Sequence, residues 1–260
     1  MPGAEHPRRA QLARNLAAVH ARIAAACAAA DRDPAQVCLI AVTKFFPATD
    51  LAHLAHLAPA APAAHAPAAH AARRGVAHVG ESRDRDAATK LAELAVQDPA
   101  ARAALRVHFV GQVQTNKVAS IARYADVIHS VDRPRLVAAL AGAAQRLQRP
   151  IDVLLQVDLE EGAAAGRGGA APADLGALAD AVAGAAFLRL AGVMAVAPLG
   201  SEPDRAFGRL QGIHSRLLAD HPDARWMSAG MSTDLESAIA HGATHLRVGT
   251  AILGSRPVAR

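Results

Sequence analysis

Residues 38–50 read CLIAVTKFFPATD and decide how the rest of the chain is interpreted. Cys38–Val42 is an unbroken run of apolar residues of strand length, which predicts a short buried β-strand. Lys44 follows at its carboxyl end, and Pro47 is suited to open a helix. The apolar face of that helix would consist of Leu51, Leu54 and Leu57. The stretch therefore predicts one βα unit with a lysine at the end of its strand.

Lys44 is unusual in type and in position. Only three of the 28 Lys and Arg residues are lysines. The end of a buried strand is largely desolvated, and Lys is almost never fully buried without a partner. Burial lowers the pKa of an amine, and a neutral amine, unlike a guanidinium, can form a Schiff base. A lysine that reaches to solvent or pairs with a carboxylate remains the alternative.

Composition limits the class of protein. The net charge of +5 comes from arginines scattered along predicted helices, which is typical of solvated helix faces and not of a nucleic-acid surface. Cys27 and Cys38 lack metal or redox spacing, so we expect reduced core residues. The N-terminus has no signal-type apolar region, and no apolar run reaches membrane-spanning length. We therefore expect a soluble cytoplasmic protein.

Strands and helices alternate along the chain after an amphipathic helix at residues 8–30. Eight βα units in about 250 residues predict an α/β fold, a single (β/α)8 TIM-type barrel over residues 8–256. The extra N-terminal helix would cover the place of an eighth barrel helix. A doubly wound open sheet is the alternative, but no GxGxxG turn follows any strand. The predicted strands are 38–42, 76–79, 106–110, 127–131, 152–158, 188–195, 225–228 and 245–248, and the predicted helices between them include 84–97, 116–123, 134–147, 173–183, 204–219 and 234–241.

Residues 53–70 form an Ala/Pro/His-rich, low-complexity segment. Repeated proline excludes one continuous helix, so we predict a loose insertion within the barrel domain. The segment has no carboxylate or cysteine beside its histidines, which argues against a metal site. The histidines are His53, His56, His65 and His70.

In a barrel of this kind, function lies at the carboxyl ends of the strands. The loops after the last two strands commonly hold phosphate on backbone N–H groups. A lysine on one side and a phosphate site on the other suit a phosphorylated aldehyde, and pyridoxal 5′-phosphate (PLP) needs both. Single residues leave alternatives open: Gly249-Thr250 could be a plain turn, Arg247 could face inward or pair at the surface, and Met194 could serve packing. The strand-end candidates are Lys44, Ser82, Met194, Ser228, Gly230, Arg247, Gly249 and Thr250.

Seven segments, in order from about residue 10 to residue 256, resemble the pyridoxal phosphate homeostasis protein family. The resemblance implies a barrel built like that of alanine racemase, without the second domain of that enzyme. It also implies that Lys44 holds PLP as an internal aldimine, that Arg247 faces the pyridine nitrogen, and that Ser82 lies near the cofactor. The phosphate would be held, largely through backbone amides, by Ser228, Gly230, Gly249 and Thr250. The segments are AVTKFFPATD, HVGESRDRDAATK, HFVGQVQTNK, VIHSVDR, LLQVDL, LAGVMAVAP and SAGMSTDLESAIAHGATHLRVGTAILGSR.

The chain departs from the family pattern in three places. Ser82 stands where the family usually has Asn, which shortens a side chain near the cofactor. Residues 167–169 read Arg-Gly-Gly where Lys-x-Gly is usual. The insertion at 53–70 is foreign to the pattern.

The predicted position of Arg247 favours a carrier over an enzyme. A permanent cation facing the pyridine nitrogen disfavours its protonation and weakens the ring as an electron sink. Two-base racemisation also needs a second acid/base, which a second-domain tyrosine supplies in the racemases. The single tyrosine, Tyr124, is predicted to lie away from the strand ends.

We therefore expect a PLP carrier or buffer in vitamin B6 homeostasis that acts without turnover. PLP-dependent apo-enzymes are its candidate recipients, and nucleic acid and membranes are not expected partners. The missing second domain favours a monomer. The alternatives are a PLP-dependent amino-acid racemase or lyase and a cofactor-free aldolase that uses Lys44.

Overall fold

The computed structural model describes residues 6–57, 78–160 and 168–256. Within them, eight parallel strands close into one barrel in chain order, with the last strand paired to the first. The predicted (β/α)8 barrel is confirmed. Its strands are β1 Cys38–Val42, β2 His78–Glu81, β3 Arg106–Phe109, β4 Val127–Val131, β5 Ile151–Gln156, β6 Leu188–Met194, β7 Trp226–Ser228 and β8 His245–Val248.

Helices surround the strands. Two short helices, Pro99–Ala104 and Thr250–Leu253, were not predicted. The first begins after Asp98, whose Oδ1 accepts a hydrogen bond from the Ala101 amide at 2.9 Å, so an N-cap signal was present in the sequence. In the described residues, the helices are α1 Pro7–Ala29, α2 Ala48–Leu57, α3 Asp84–Gln97, α4 Pro99–Ala104, α5 Val118–Tyr124, α6 Pro134–Leu147, α7 Leu175–Ala183, α8 Pro203–Asp220, α9 Leu235–Ala240 and α10 Thr250–Leu253.

Helix α1 occupies the place predicted for it. It packs on α2, α9 and α10, the position that an eighth barrel helix would take. The Asn15 amide donates to the Ile252 carbonyl at 2.8 Å, and the Arg8 guanidinium pairs with Asp50 at 2.6 Å. Its buried side chains recur at helical spacing and are Leu12, Leu16, Val19, Ile23 and Cys27.

The structure differs from the sequence-based boundaries around residues 53–79. Helix α2 continues to Leu57, so residues 53–57 of the predicted insertion are helical, and Leu54 is fully buried. Residues 58–77 lie outside the described residues, with His65 and His70. Strand β2 is assigned to His78–Glu81 instead of 76–79, because Glu81 still pairs with Phe109 on β3.

Both cysteines are free and buried, as predicted. Burial raises the pKa of the Cys38 thiol to about 12, which keeps that thiol protonated and unreactive. No helix in the described part of the chain is long and apolar enough to span a membrane.

Candidate functional site at the barrel mouth

A cavity of about 590 Å³ opens at the carboxyl ends of the strands. This volume is in the range of sites that bind small ligands. Its walls come from loops that follow β1, β2, β3, β6, β7 and β8. The described residues that line this mouth cavity are Val42, Lys44, Phe45, Phe46, Ser82, Val110, Val196, Met231, Ser232, Thr233, Arg247, Gly249, Thr250, Gly254 and Arg256.

The lining is cationic and rich in hydroxyl groups. It contains the side chains of Lys44, Arg247 and Arg256, and none of the described residues that line it is acidic. The Arg256 guanidinium lies 4.1 Å from the centre of the Phe45 ring, which holds it over the cavity edge by a cation–π contact. The hydroxyls belong to Ser82, Ser232, Thr233 and Thr250. This combination favours an anionic ligand such as a phosphate ester.

Lys44 lies at the mouth but is exposed to solvent. Of the two alternatives left open for Lys44, the structure has the one in which the amine reaches solvent. The reason is local: Thr43 takes the last buried position after β1, and Lys44 belongs to the turn that follows. Its Nζ lies 5.4 Å from the centre of the Phe45 ring.

The buried lysine of this region is Lys90 on α3. Its Nζ lies 2.6 Å from Glu81 Oε1 and donates to the Thr43 carbonyl at 2.7 Å. The Thr43 hydroxyl donates to the same Glu81 oxygen at 2.6 Å. The Glu81–Lys90 pair therefore holds Thr43 by both its hydroxyl and its carbonyl. This fixes the point at which the backbone of Lys44 leaves the strand. Helical spacing with Ala87 and Leu94 could have placed Lys90 on the buried face of α3.

Arg247 faces the inside of the barrel. Two of its N–H groups are used, one donated to Ser228 Oγ at 2.7 Å and one to the Ala195 carbonyl at 2.8 Å. A guanidinium has five donors, so three have no acceptor among the described residues and can serve a ligand in the cavity that Arg247 lines. Burial lowers the pKa of Arg247 to about 10, and the side chain stays cationic at neutral pH.

The structure brings five of the eight predicted site residues to the mouth cavity: Lys44, Ser82, Arg247, Gly249 and Thr250. The other three, Met194, Ser228 and Gly230, are buried and are not among the described lining residues.

Each of these three residues has a structural role, and that of Ser228 is to accept the hydrogen bond from Arg247 given above. Met194 packs inside the barrel against Val127, Leu154 and Ala191. Gly230 has φ of +87°, and a Cβ there would lie 2.6 Å from the Ala238 side chain, so glycine is required.

Sequence reasoning missed two features of this region. Arg256 follows the last helix and has no motif that would single it out. A cluster of four buried histidines also lies inside the barrel, namely His78, His108, His129 and His245. Each histidine occupies an inward-facing strand position, and the alternation of apolar and polar residues along RVHF and HLRV could have indicated this.

Comparison with known proteins agrees with the fold. The family model described as alanine racemase, N-terminal domain, matches residues 10–257. The pyridoxal phosphate homeostasis protein of Mycobacterium leprae is 40% identical over 95% of this chain and 93% of its own length. That of Pseudomonas aeruginosa is 39% identical, over 94% of this chain and 96% of its own length.

Solved structures give the same result. PipY of Synechococcus elongatus, determined with PLP bound, superimposes with a TM-score of 0.74 and 29% identity, over 94% of this chain and 100% of that one. Alanine racemase of Corynebacterium glutamicum shares the fold, with a TM-score of 0.65 and 16% identity, over 96% of this chain and 62% of the racemase. The chain belongs to the alanine racemase N-terminal domain family, in the group of the pyridoxal phosphate homeostasis proteins.

Proposed function

We propose that this protein binds PLP covalently through Lys44 and serves as an intracellular carrier or buffer of that cofactor. One observation carries the proposal: a primary amine, two guanidinium groups and four hydroxyls line a single mouth cavity of about 590 Å³. That set suits a small ring with an aldehyde and a phosphate ester. The relatives named above are PLP homeostasis proteins, and PipY binds PLP in its structure.

The residues of the mouth cavity divide into three roles. Lys44 supplies the amine that attaches the aldehyde, and its exposed position gives an incoming ligand direct access. Gly249 and Thr250, in the loop after β8, hold the phosphate together with the nearby cationic side chains. Arg247, which lines the same cavity, would offer its remaining N–H donors to the ring nitrogen of bound PLP. Ser82 also lines the cavity, with a shorter side chain than the family's usual Asn.

The position of Arg247 supports a carrier over an enzyme. Bound PLP supplies an electron sink for carbanions, and that sink is strongest when the ring nitrogen is protonated. Arg247 stays cationic at neutral pH and offers donors only, so it disfavours a proton on a nitrogen that it contacts.

Tyr124 does not supply the second acid/base that racemisation needs. It lies in the last turn of α5, and its hydroxyl donates to Asp84 at 3.3 Å. Burial and the Asp84 carboxylate raise the pKa of Tyr124. The residue is not among the described residues that line the mouth cavity.

The test is borohydride reduction of the protein incubated with PLP, followed by peptide mass mapping. We expect a yellow protein with the reduced adduct on the peptide that contains Lys44. Lys44→Ala should lose the adduct and keep the wild-type unfolding midpoint, because Lys44 is exposed and makes no core contact. Lys117→Ala is the matched control and should keep the adduct. An adduct on Lys90 or Lys117, or no adduct in the wild type, would refute the assignment.

The alternative is a PLP-dependent racemase or lyase of the alanine racemase type. The observation that favours this alternative is access: Lys44 is exposed and the cavity is open, so an amino acid could reach the lysine. Turnover on a panel of D- and L-amino acids that disappears in Lys44→Ala would establish it and overturn the carrier role. A colourless protein that cleaves aldol substrates would instead indicate the cofactor-free aldolase.

The cytoplasmic location, the monomeric state and delivery to PLP-dependent apo-enzymes stay predictions. Size-exclusion chromatography with light scattering tests the monomer. Transfer of PLP to an apo-enzyme kept behind a dialysis membrane, compared with direct mixing, distinguishes release into solution from direct delivery.

A further inference from the structure

Inside the barrel, a continuous row of hydrogen bonds leads away from Arg247. The guanidinium donates to Ser228 Oγ at 2.7 Å, and that oxygen lies 3.0 Å from Nδ1 of His129. His129 Nε2 lies 2.8 Å from Nδ1 of His108, and His108 Nε2 lies 2.8 Å from Nδ1 of His78. The row crosses from β8 through β7, β4 and β3 to the first residue of β2.

All members of this row are removed from solvent. Ser228, His108 and His129 are 0% exposed, and Arg247 and His78 are below 10%. Burial lowers the pKa values of His108 and His129 well below the ordinary value, with neighbouring histidines and Arg106 acting in the same direction and Arg247 doing so at His129. Both imidazoles are therefore neutral at neutral pH, each with one N–H donor and one acceptor nitrogen.

Arg247 sets the direction of the row, because a guanidinium donates and cannot accept. Since Ser228 Oγ accepts from Arg247, its own proton is available to His129 Nδ1. His129 must then carry its proton on Nε2 and donate to His108, which in turn donates from Nε2 to His78. If His129 Nδ1 instead donated to Ser228, the Ser228 oxygen would accept two hydrogen bonds. The Ser228 proton would then have no acceptor among the hydrogen bonds of the described residues.

We propose that Ser228 and His129, backed by His108 and His78, are positioning residues that hold Arg247 through a directed hydrogen-bond relay. Two anchors, Ser228 Oγ and the Ala195 carbonyl, fix the guanidinium plane, so its remaining donors keep one orientation toward the mouth cavity. The Ser228 hydroxyl then accepts a hydrogen bond from Arg247 on the side away from the mouth cavity, and it does not bind phosphate. The relay consists of hydrogen bonds between protein side chains and does not require a cofactor. Its effect on a ring nitrogen rests on the proposed function.

A purely space-filling role does not account for these residues. A buried hydroxyl or imidazole costs free energy unless each polar atom has a partner. Apolar side chains of the same interior, such as Leu154 and Met194, fill space without that cost. The polar row ends on Arg247, an interior side chain that also lines the mouth cavity, which is where a positioning function would be used.

The decisive experiment is long-range ¹H–¹⁵N NMR of the histidine rings in the cofactor-free wild-type protein at neutral pH. We expect His108 and His129 to be neutral with the proton on Nε2. A proton on Nδ1 of either residue, or a doubly protonated ring, would overturn the relay. This result does not depend on PLP binding.

Variants extend the test. Ser228→Ala should remove the single-tautomer state of His129, and Ser228→Thr, which keeps a hydroxyl, should restore it. Leu154→Ala, a larger loss of volume in the same interior that removes no polar atom, should leave the tautomers unchanged. An unchanged tautomer in Ser228→Ala, or an equal change in Leu154→Ala, contradicts the proposal.

The absorption maximum of bound PLP gives a further readout. We expect it to shift in Ser228→Ala and to stay at the wild-type wavelength in Leu154→Ala. An unshifted maximum in Ser228→Ala would refute the positioning of Arg247. If the wild-type protein binds no PLP, the proposed function fails, while the NMR result still decides the relay.

Discussion

The two faces of the barrel strands are both buried, yet they differ in composition: the outer face is mostly apolar, whereas the inner face mixes apolar side chains with buried histidines, Ser228 and Arg247. Strand β8 illustrates this: Leu246 and Val248 join the apolar layer beneath the helices, while His245 and Arg247 face inward. Strand β3 repeats it, with Val107 outside and His108 inside. The outer layer stabilises the fold by excluding water, which places no directional demand on its side chains. The interior contains polar side chains, one of which presents hydrogen-bond donors to the mouth cavity. Because these side chains are buried, each of their polar atoms needs a hydrogen-bond partner.

The largest effect on stability is expected where an ion pair buried in the outer layer is broken. Among the described residues, Lys90→Met leaves the fully buried Glu81 carboxylate with the Thr43 hydroxyl as its remaining partner. Breaking one half of a buried ion pair costs about 3–5 kcal/mol of unfolding free energy. Urea denaturation of the wild type and the variant measures it.

The double variant Lys90→Met/Glu81→Gln is the control and should recover part of the loss, because no carboxylate is then left buried. A loss below about 1 kcal/mol in the single variant would mean that the pair contributes as little as a surface salt bridge.

The apolar layer itself should give the next largest effect. Leu140 on α6 is 0% exposed, and Leu140→Ala should cost about 2–5 kcal/mol through lost burial and the cavity left behind. Leu199 is 84% exposed, and the same substitution there should change stability by less than about 0.5 kcal/mol. Equal unfolding midpoints for the two variants would contradict the division into layers.

The interior row should make stability depend on pH. His108 and His129 have lowered pKa values in the folded protein. The unfolded chain therefore binds more protons, and stability is complete above the unfolded histidine pKa of about 6.5 and falls as pH drops below it. Each histidine should contribute a loss of about 1.4 kcal/mol between about pH 7.5 and pH 5.5.

Urea titrations at the two pH values measure this loss. Because other groups also titrate, His108→Phe serves as the comparison and should show a smaller decrease than the wild type. The same decrease in both proteins would contradict a lowered pKa of His108 in the folded state.

Much of the fold was predictable because local patterns report it directly. Short apolar runs separated by amphipathic helices indicated eight strands, and their count indicated a closed barrel. The boundaries of β1, β4, β8, α3 and α6 agree with the prediction. The prediction placed the start of the insertion too early, at residue 53, although the apolar face predicted for α2 already reached Leu57, where the helix ends.

The candidate site was predictable only in part. The loops that carry Lys44, Ser82, Gly249 and Thr250 follow strands, so their common location follows from the topology of the barrel. The exposure of Lys44 depends on where the turn leaves β1, and the pairing of Lys90 with Glu81 depends on how α3 packs on β2. Neither contact is local in sequence.

The amino-acid sequence by itself determined the order of strands and helices, the N-terminal helix and the set of strand ends that form the mouth. Hydrophobic periodicity and turn residues act over a few neighbouring residues, so the chain carries this information locally. The tertiary structure alone decided which lysine is buried, that Arg247 faces inward, and that His78, His108, His129 and Ser228 form one row. Those outcomes depend on the register and closure of strands far apart in the chain, because only the closed barrel brings their inward side chains within hydrogen-bonding distance.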